Sequence, residues 1–233
     1  MTNFLFTSGS HYGPQHHPDD NQDNFALRIS EDYIIVCVAD GAGSLENSAK
    51  GADIAVNSAA DYADDAYEFT ENLEKLVLDS LQTARDRILS IEDYKTMGCT
   101  VALGIFSKEK WSVGIIGDAF AVVHHLDGFH ELVTTKRSSE FANETTFITS
   151  RNYSPIVVSG NEEIVGLSVC SDGMIPHAVV SASEMAFSDF WNSILNRLTK
   201  NKNFPANDFL EYLFSNDKLE DDTTFITAIN SDS

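Results

Sequence analysis

The 233-residue sequence predicts an α+β fold, a four-layer αββα sandwich in which two mainly antiparallel sheets are flanked by helix pairs. Three observations predict it. The candidate strands run consecutively rather than alternating with helices. The candidate helices come two at a time, and four short apolar runs abut an aspartate. A strand meander with paired helices favours antiparallel layers over βαβ units. The length suits one domain over residues 1–233, and 42% apolar residues suffice for a sizeable core.

The elements follow in order. Residues 13–21, rich in Pro, His and Asp, read as a loop. Phe25–Ile29 and Tyr33–Ala39 read as paired strands with Glu31 and Asp32 near the turn. A first helix carries a small-residue face of Ala49, Ala52, Ala55, Val56, Ala59, Ala60 and Ala63. A second has Leu73, Leu76, Val77, Leu81, Ala84 and Ile88 at amphipathic spacing. Thr70 is its expected N-cap, with Glu71 and Glu74 in the first turn, where carboxylates suit the helix dipole.

A meander comes next: Thr100–Phe106, Trp111–Ile116, Ala119–Leu126 and Phe129–Thr134, the last two joined by Asp127-Gly128, a type I′ hairpin signal. Residues 135–160 are polar and irregular apart from the short runs 145–149 and 156–158. Val165–Cys170 reads as a strand, Ser183–Leu198 and Ala206–Phe214 as helices with Pro205 at a helix start, and Thr223–Ile229 as the closing strand. Phe141, Phe147, Tyr153, Phe187, Phe190 and Trp191 are expected in the core. Phe187, Phe190, Trp191 and Ile194 keep helical spacing.

Composition excludes several classes. The net charge of −21, from 36 acidic and 15 basic residues, repels nucleic-acid backbones and anionic membranes and favours cations or basic partners. No apolar stretch approaches the roughly 18 residues that span a bilayer. Residues 1–6 carry no basic region and no signal-peptide core, so export is not expected. Cys37, Cys99 and Cys170 lie in apolar runs without metal-ligand spacing, as buried thiols of a reducing compartment do. A cytoplasmic location is the expectation.

The chemistry is concentrated in the aspartates. Asp40 ends Ile34–Ala39, Asp118 ends Val113–Gly117, Asp172 ends Leu167–Ser171, and Asp221 with Asp222 precedes Thr223–Ile226. An aspartate at the end of a buried strand is held rigidly beside the core, and four of them imply converging carboxylates, which require cations. Asp127-Gly128 is accounted for by its hairpin. Asp40-Gly41, by contrast, continues as Ala42-Gly43-Ser44 into a helix, and Asp172-Gly173 runs into Met174-Ile175-Pro176. Oxygen-only donors select hard ions such as Mg²⁺ or Mn²⁺, and two such ions about 3.5–4 Å apart can activate water and clamp a phosphoryl group. The sequence shows no nucleophile elbow and no glycine-rich phosphate loop.

Six segments in order carry a resemblance: Asn21-Gln22-Asp23, Val38-Ala39-Asp40-Gly41-Ala42-Gly43, Gly98-Cys99-Thr100, Gly117-Asp118, Cys170-Ser171-Asp172-Gly173 and Asp221-Asp222-Thr223-Thr224. The chain resembles the metal-dependent protein phosphatases of the PPM (type 2C) family, in its compact bacterial branch, from about residue 8 to 229. The resemblance implies the β-sandwich with flanking helix pairs and a serine/threonine phosphoprotein phosphatase, opposing a cognate kinase. It implies two core Mg²⁺ or Mn²⁺ ions with a weaker third. Asp40 would bridge the core ions, with the Gly41 carbonyl on one of them and Asp172 and Asp221 on the second. Asp23 would stand near the first, Asp118 at the third, and Asp222 beside the ligands. A metal-bridging hydroxide would attack the phosphomonoester directly, so that Asp40, Asp172 and Asp221 act through that water.

The sequence departs from the family pattern in three places. Many members have an arginine shortly before the early acidic motif to grip phosphate, and here no arginine precedes Asp23. The cations at hand are His11, His16 and His17, and His11 is the expected substitute in substrate binding. Ala42 stands where some members place a histidine acid, and the segment between the third and fourth motifs is short for a substrate-selecting flap. The alternative reading is a catalytically weak or inactive phosphatase-like module that binds phosphoproteins. A two-metal nuclease is opposed by the negative charge.

Overall fold

A computed structural model describes residues 4–135, 145–180, 183–201 and 204–231. Along the chain come β1 (Phe4–His11), β2 (Asp23–Ile29), β3 (Tyr33–Gly41), α1 (Ser48–Ala66) and α2 (Leu73–Leu89). The meander is β4 (Cys99–Ser107), β5 (Trp111–Ile116), β6 (Phe120–His125) and β7 (His130–Val133), followed by β8 (Ile156–Gly160) and β9 (Ile164–Cys170). A short α3 (Ile175–Ala178), the ribbon β10 (Val179–Val180) and β11 (Met185–Ala186), α4 (Ser188–Lys200), α5 (Ala206–Ser215) and β12 (Thr223–Asn230) complete it.

The strands form two five-stranded sheets, β1-β12-β9-β6-β7 and β2-β3-β4-β5-β8, with every neighbouring pair antiparallel. Three apolar layers hold them. Successive residues of a strand face opposite ways, so β3 sends Ile34, Val36 and Val38 toward the other sheet and Ile35, Cys37 and Ala39 toward the helices. This is why β3 is apolar without interruption: both of its faces are covered. The layer between the sheets includes Ile115, Leu167, Val169 and Ile226. The first outer layer sets the alanine face of α1 and Val77 and Leu81 of α2 against the β2–β3–β4 side. The second sets Trp191 of α4 and Leu210 of α5 against Phe120, Cys170 and Phe225. The predicted αββα sandwich is the observed fold.

Several local expectations give way to tertiary structure. β1 has too weak a pattern to stand out, yet it pairs along its whole length with β12. The helix expected from Ser183 begins at Ser188, because residues 185–186 pair with β10 and Phe187 N–H donates to the Ala178 carbonyl at 2.8 Å. Phe187 is accordingly 42% exposed, while Trp191 is fully buried and Phe190 packs beside it. Phe147 lines a cleft rather than the core, Tyr153 packs on the helical layer, and Phe141 lies outside the described residues. The β6–β7 hairpin is present, but only Gly128 has positive φ, +84°. A type I′ turn needs two such residues. Here Gly128 N–H donates to the His125 carbonyl and His125 N–H to that of Phe129, a three-residue loop with glycine at the left-handed position.

Helix α2 starts two residues later than the cap expected at Thr70 implies. Asn72 is the N-cap, its side chain accepting from Lys75 N–H at 2.9 Å, and Thr70 Oγ1 accepts from Asn72 N–H before the helix. Asn72→Ala should therefore lower stability by about 1 kcal/mol in urea unfolding, and Thr70→Ala by less than about 0.5 kcal/mol. Equal losses would count against Asn72 as the cap.

Candidate metal centre

The aspartates stand where strands from both sheets reach one edge of the sandwich. Asp40 lies in the last turn of pleat of β3, with Asp23 of β2 its direct cross-strand partner. Asp118 sits in the crossing from β5 to β6, that is, between the sheets. Gly117 makes that crossing with φ of +81°, a conformation side chains other than glycine rarely adopt, and Thr135 Oγ1 donates to its carbonyl at 2.6 Å. Asp172 follows β9, and Asp221 and Asp222 lead into β12. The two turns touch at Gly173, where a Cβ would come within 2.2 Å of the Asp222 carbonyl oxygen.

These turns wall a cleft of about 380 Å³ that Asp40, Gly41, Asp118, Asp172, Asp221 and His16 all line. Carboxylate oxygens of Asp40, Asp118 and Asp172 lie within 4.8 Å of one another. Asp221 groups instead with Asp222 and His16, also within 4.8 Å. Asp23 is buried behind Asp40 and is not part of the cleft wall. The structure thus gathers the predicted carboxylates at one place, but divides them into two groups across one cleft.

Electrostatics there are unfavourable without a counter-charge. Burial, then the charges of Asp23, Asp172, Asp118 and Asp221, hold the Asp40 carboxyl well above the usual carboxylate range. Asp23 is pushed up to about 7, chiefly by burial; hydrogen bonds from Ser171 and Thr224 oppose this, and Asp222 and Asp172 add to it. Ser171 Oγ donates to Asp23 Oδ2 at 2.7 Å, while the buried Oδ1 has no hydrogen-bond partner. Thr145 Oγ1 donates to Asp118 Oδ2 at 2.8 Å. Among the described residues no lysine or arginine lines the cleft. A set of carboxylate oxygens beside a backbone carbonyl, ionised with difficulty and without a lysine or arginine among the described residues that line the cleft, fits hard divalent ions.

Asp222 has a different part. Its Oδ1 accepts from Gly13 N–H at 2.7 Å and His16 Nδ1 at 2.8 Å, and its Oδ2 accepts from Gln22 N–H at 2.7 Å. One carboxylate thereby folds residues 13–22 over the start of β12. The hydrogen bond to Asp222 raises the His16 pKa, overcoming burial.

His11, the expected substrate-binding residue, is not in the cleft. At the end of β1 its ring lies between Tyr12 and Phe214, with centroids 4.5 and 4.6 Å away. Its nitrogens meet the Tyr12 carbonyl and Glu211 Oε2 of α5 at 2.7 and 3.0 Å. His17 is exposed beside Asp19. His16 is the histidine that lines the cleft, a choice that depended on the loop's path and not on spacing to Asp23. Ser171 and Thr145 were also missed; Ser171 stood in a quoted motif, whereas nothing in sequence marks Thr145.

The sequence matches the family model described as protein phosphatase 2C over residues 13–215. The chain belongs to the protein phosphatase 2C family. Solved structures with the same fold include the catalytic domain of the serine/threonine protein phosphatase PstP in complex with two manganese ions, at TM-score 0.69 and 16% identity, with 97% of each chain covered. The Mycobacterium tuberculosis serine/threonine phosphatase PstP/Ppp gives 0.67 and 16%, covering 97% of this chain and 98% of that one. The S. agalactiae serine/threonine phosphatase gives 0.64 and 16%, covering 97% and 99%. No curated protein is a significant match to the sequence. This protein phosphatase 2C chain, among its described residues, has no helix long and apolar enough to cross a membrane.

The raised carboxylates give a pH test. Asp23 titrates near 7 when folded and near 3.8 when unfolded, so without metal the folded state binds the extra proton. Its stability is then greatest at low pH and falls as pH rises through that window. A metal that binds the ionised form would offset the loss. The rise in Tm on adding Mn²⁺ should be several degrees larger at pH 7.5 than at pH 5.5; equal shifts would remove the carboxylates as the binding groups.

Proposed function

We propose that this chain is a Mg²⁺- or Mn²⁺-dependent serine/threonine phosphoprotein phosphatase. The observation that carries the reading is the convergence of Asp40, Asp118 and Asp172 within 4.8 Å in a cleft that Asp221 also lines. Asp40, the Gly41 carbonyl, Asp172 and Asp221 are the groups to hold two core ions, with Asp118 at a looser third and Asp23 behind Asp40. Ions held there supply a water of lowered pKa and a clamp on phosphoryl oxygens. The protein's own work is positional. Strand ends fix the half-buried Asp40 and Asp172, Ser171 orients Asp23, and Thr145 orients Asp118. His16, held at Nδ1 by Asp222, offers its other nitrogen to an anionic substrate in the place expected of His11.

The three cysteines are buried, with thiols raised by burial, and supply no rival nucleophile. They also support a reducing compartment, hence a cytoplasmic enzyme opposing a Ser/Thr kinase. A second reading, a phosphatase-like module that binds phosphoproteins without turnover, is favoured by one observation: among the described residues no lysine or arginine lines the cleft.

A Mn²⁺-dependent assay on a phosphothreonine peptide separates the two. Turnover by the wild type that falls at least about 100-fold in Asp40→Asn supports the enzyme. Equal inactivity of both proteins, with Mn²⁺ still bound, supports the binding module. In the active protein His16→Ala should raise KM about tenfold, the size of a lost hydrogen bond to a charged group, with a smaller change in kcat. His11→Ala should leave KM within about twofold, and the reverse ranking would return the substrate role to His11.

A further inference from the structure

Away from the cleft, the face of the β1-β12-β9-β6-β7 sheet under α4 contains two buried histidines that touch. His124 of β6 is fully buried and His130 of β7 is 5% exposed. Their Nδ1 atoms are 3.0 Å apart, with the ring planes at 84°. His124 Nε2 lies 2.8 Å from Ser168 Oγ of β9, and that oxygen lies 2.8 Å from Thr227 Oγ1 of β12. His130 Nε2 lies 3.1 Å from Asn192 Oδ1 of α4, and Trp191 of α4 covers His124 with centroids 5.2 Å apart. One polar chain thus crosses four strands and ends on a helix.

Donor and acceptor chemistry fixes every proton in it. An amide oxygen only accepts, so His130 carries its proton on Nε2 and donates to Asn192. Its Nδ1 is then an acceptor, and His124 must donate to it from Nδ1. His124 Nε2 in turn accepts from Ser168, whose oxygen accepts from Thr227. Both rings are neutral in this arrangement. A proton added to either ring places an N–H opposite another N–H, or removes the acceptor that Ser168 uses, in a site where His124 is fully buried and His130 nearly so.

We propose that the His124–His130 pair is an acid-sensitive latch that holds α4 on the sheet when both rings are neutral and releases it when either is protonated. The groups facing the pair are few. β7 contributes His130 itself, and the adjoining His125 is paired with Glu131 at 3.0 Å. β9 and β12 contribute the hydroxyls of Ser168 and Thr227, and α4 contributes Asn192 and Trp191. Among the described residues no carboxylate is hydrogen-bonded to either ring, and the nearby Glu131 is engaged with His125. Burial lowers both pKa values; His130 and His125 lower that of His124 further, while for His130 the hydrogen bond to Asn192 opposes burial and His125 adds to it.

The sign follows. Histidines kept neutral in the fold but free to protonate near 6.5 when exposed contribute stability above that pH that is lost as pH falls through it. The raised carboxylates of the cleft and the raised His16 act the opposite way. His177 of α3, whose Nε2 lies 3.0 Å from the Lys218 carbonyl, is lowered by burial and shares the sign, so it needs its own control.

Amide hydrogen exchange on the whole chain, corrected for the intrinsic rate, tests the latch. Between pH 7.5 and 5.5 protection in α4 should fall about tenfold or more, while α2 on the opposite face is unchanged. The loss should persist in His177→Asn and vanish in His124→Asn/His130→Gln, which retains one donor at each site and cannot titrate. Unchanged α4 protection, or a pH response surviving in the double variant, overturns the proposal. Imidazole ¹⁵N shifts of the wild type decide the matter even if that variant does not fold. They should report a proton on Nδ1 of His124 and Nε2 of His130 at pH 7.5. Ordinary titration of both rings near 6.5 would overturn the latch.

Discussion

The mutual repulsion of carboxylates at one edge of the sandwich is the constraint on which the site depends. Asp23 and Asp40 are cross-strand partners, Asp40, Asp118 and Asp172 meet within 4.8 Å, and Asp221 and Asp222 stand opposite. Left to itself such a group would separate or take up protons, and Asp40 and Asp23 do lean toward the protonated form. Each carboxylate is instead fixed by a strand that cannot move without disturbing a buried layer. The protein holds together what repulsion would otherwise separate, and divalent cations are the counter-charge such an arrangement fits.

The layering of the fold makes this possible. A single sheet could present strand ends in a row, but not from two sides. Two sheets packed face to face put β3 and β5 across from β9 and β12, so carboxylates approach one space from both sheets. Asp222 then draws residues 13–22 across the opening through three hydrogen bonds and brings His16 with them. The same carboxylate that closes the loop also orients the histidine in the cleft.

What was legible in the sequence follows from how local its cause is. Strands buried on both faces, such as β3 and β4, announce themselves by unbroken apolar runs, and the amphipathic α2 by its spacing. The aspartates were visible because each interrupts such a run. β1 was not, because its edge position needs little apolar character and its partner β12 is more than two hundred residues away. The start of α4 was misplaced because a two-residue ribbon, specified by tertiary contacts, takes the residues before it. His11 and His16 are equally polar and five residues apart; only the Glu211 contact and the turn at Gly13 decide which one faces the cleft. Membership in the protein phosphatase 2C family was legible through motif order, whereas the cationic side of the site is a property of the loop.

The pairing of β1 with β12 has a further consequence for how the domain can be linked to anything else. His11 lies opposite Thr223 at the end of the pair next to Asp221 and Asp222, and seven residues away Phe4 lies opposite Asn230. At about 3.4 Å per residue the two outer ends of this strand pair sit about 24 Å from its His11–Thr223 end, side by side. A tether joined before Phe4 or after Asn230 therefore enters at a single corner. That corner is the end of the strand pair remote from Asp221 and Asp222.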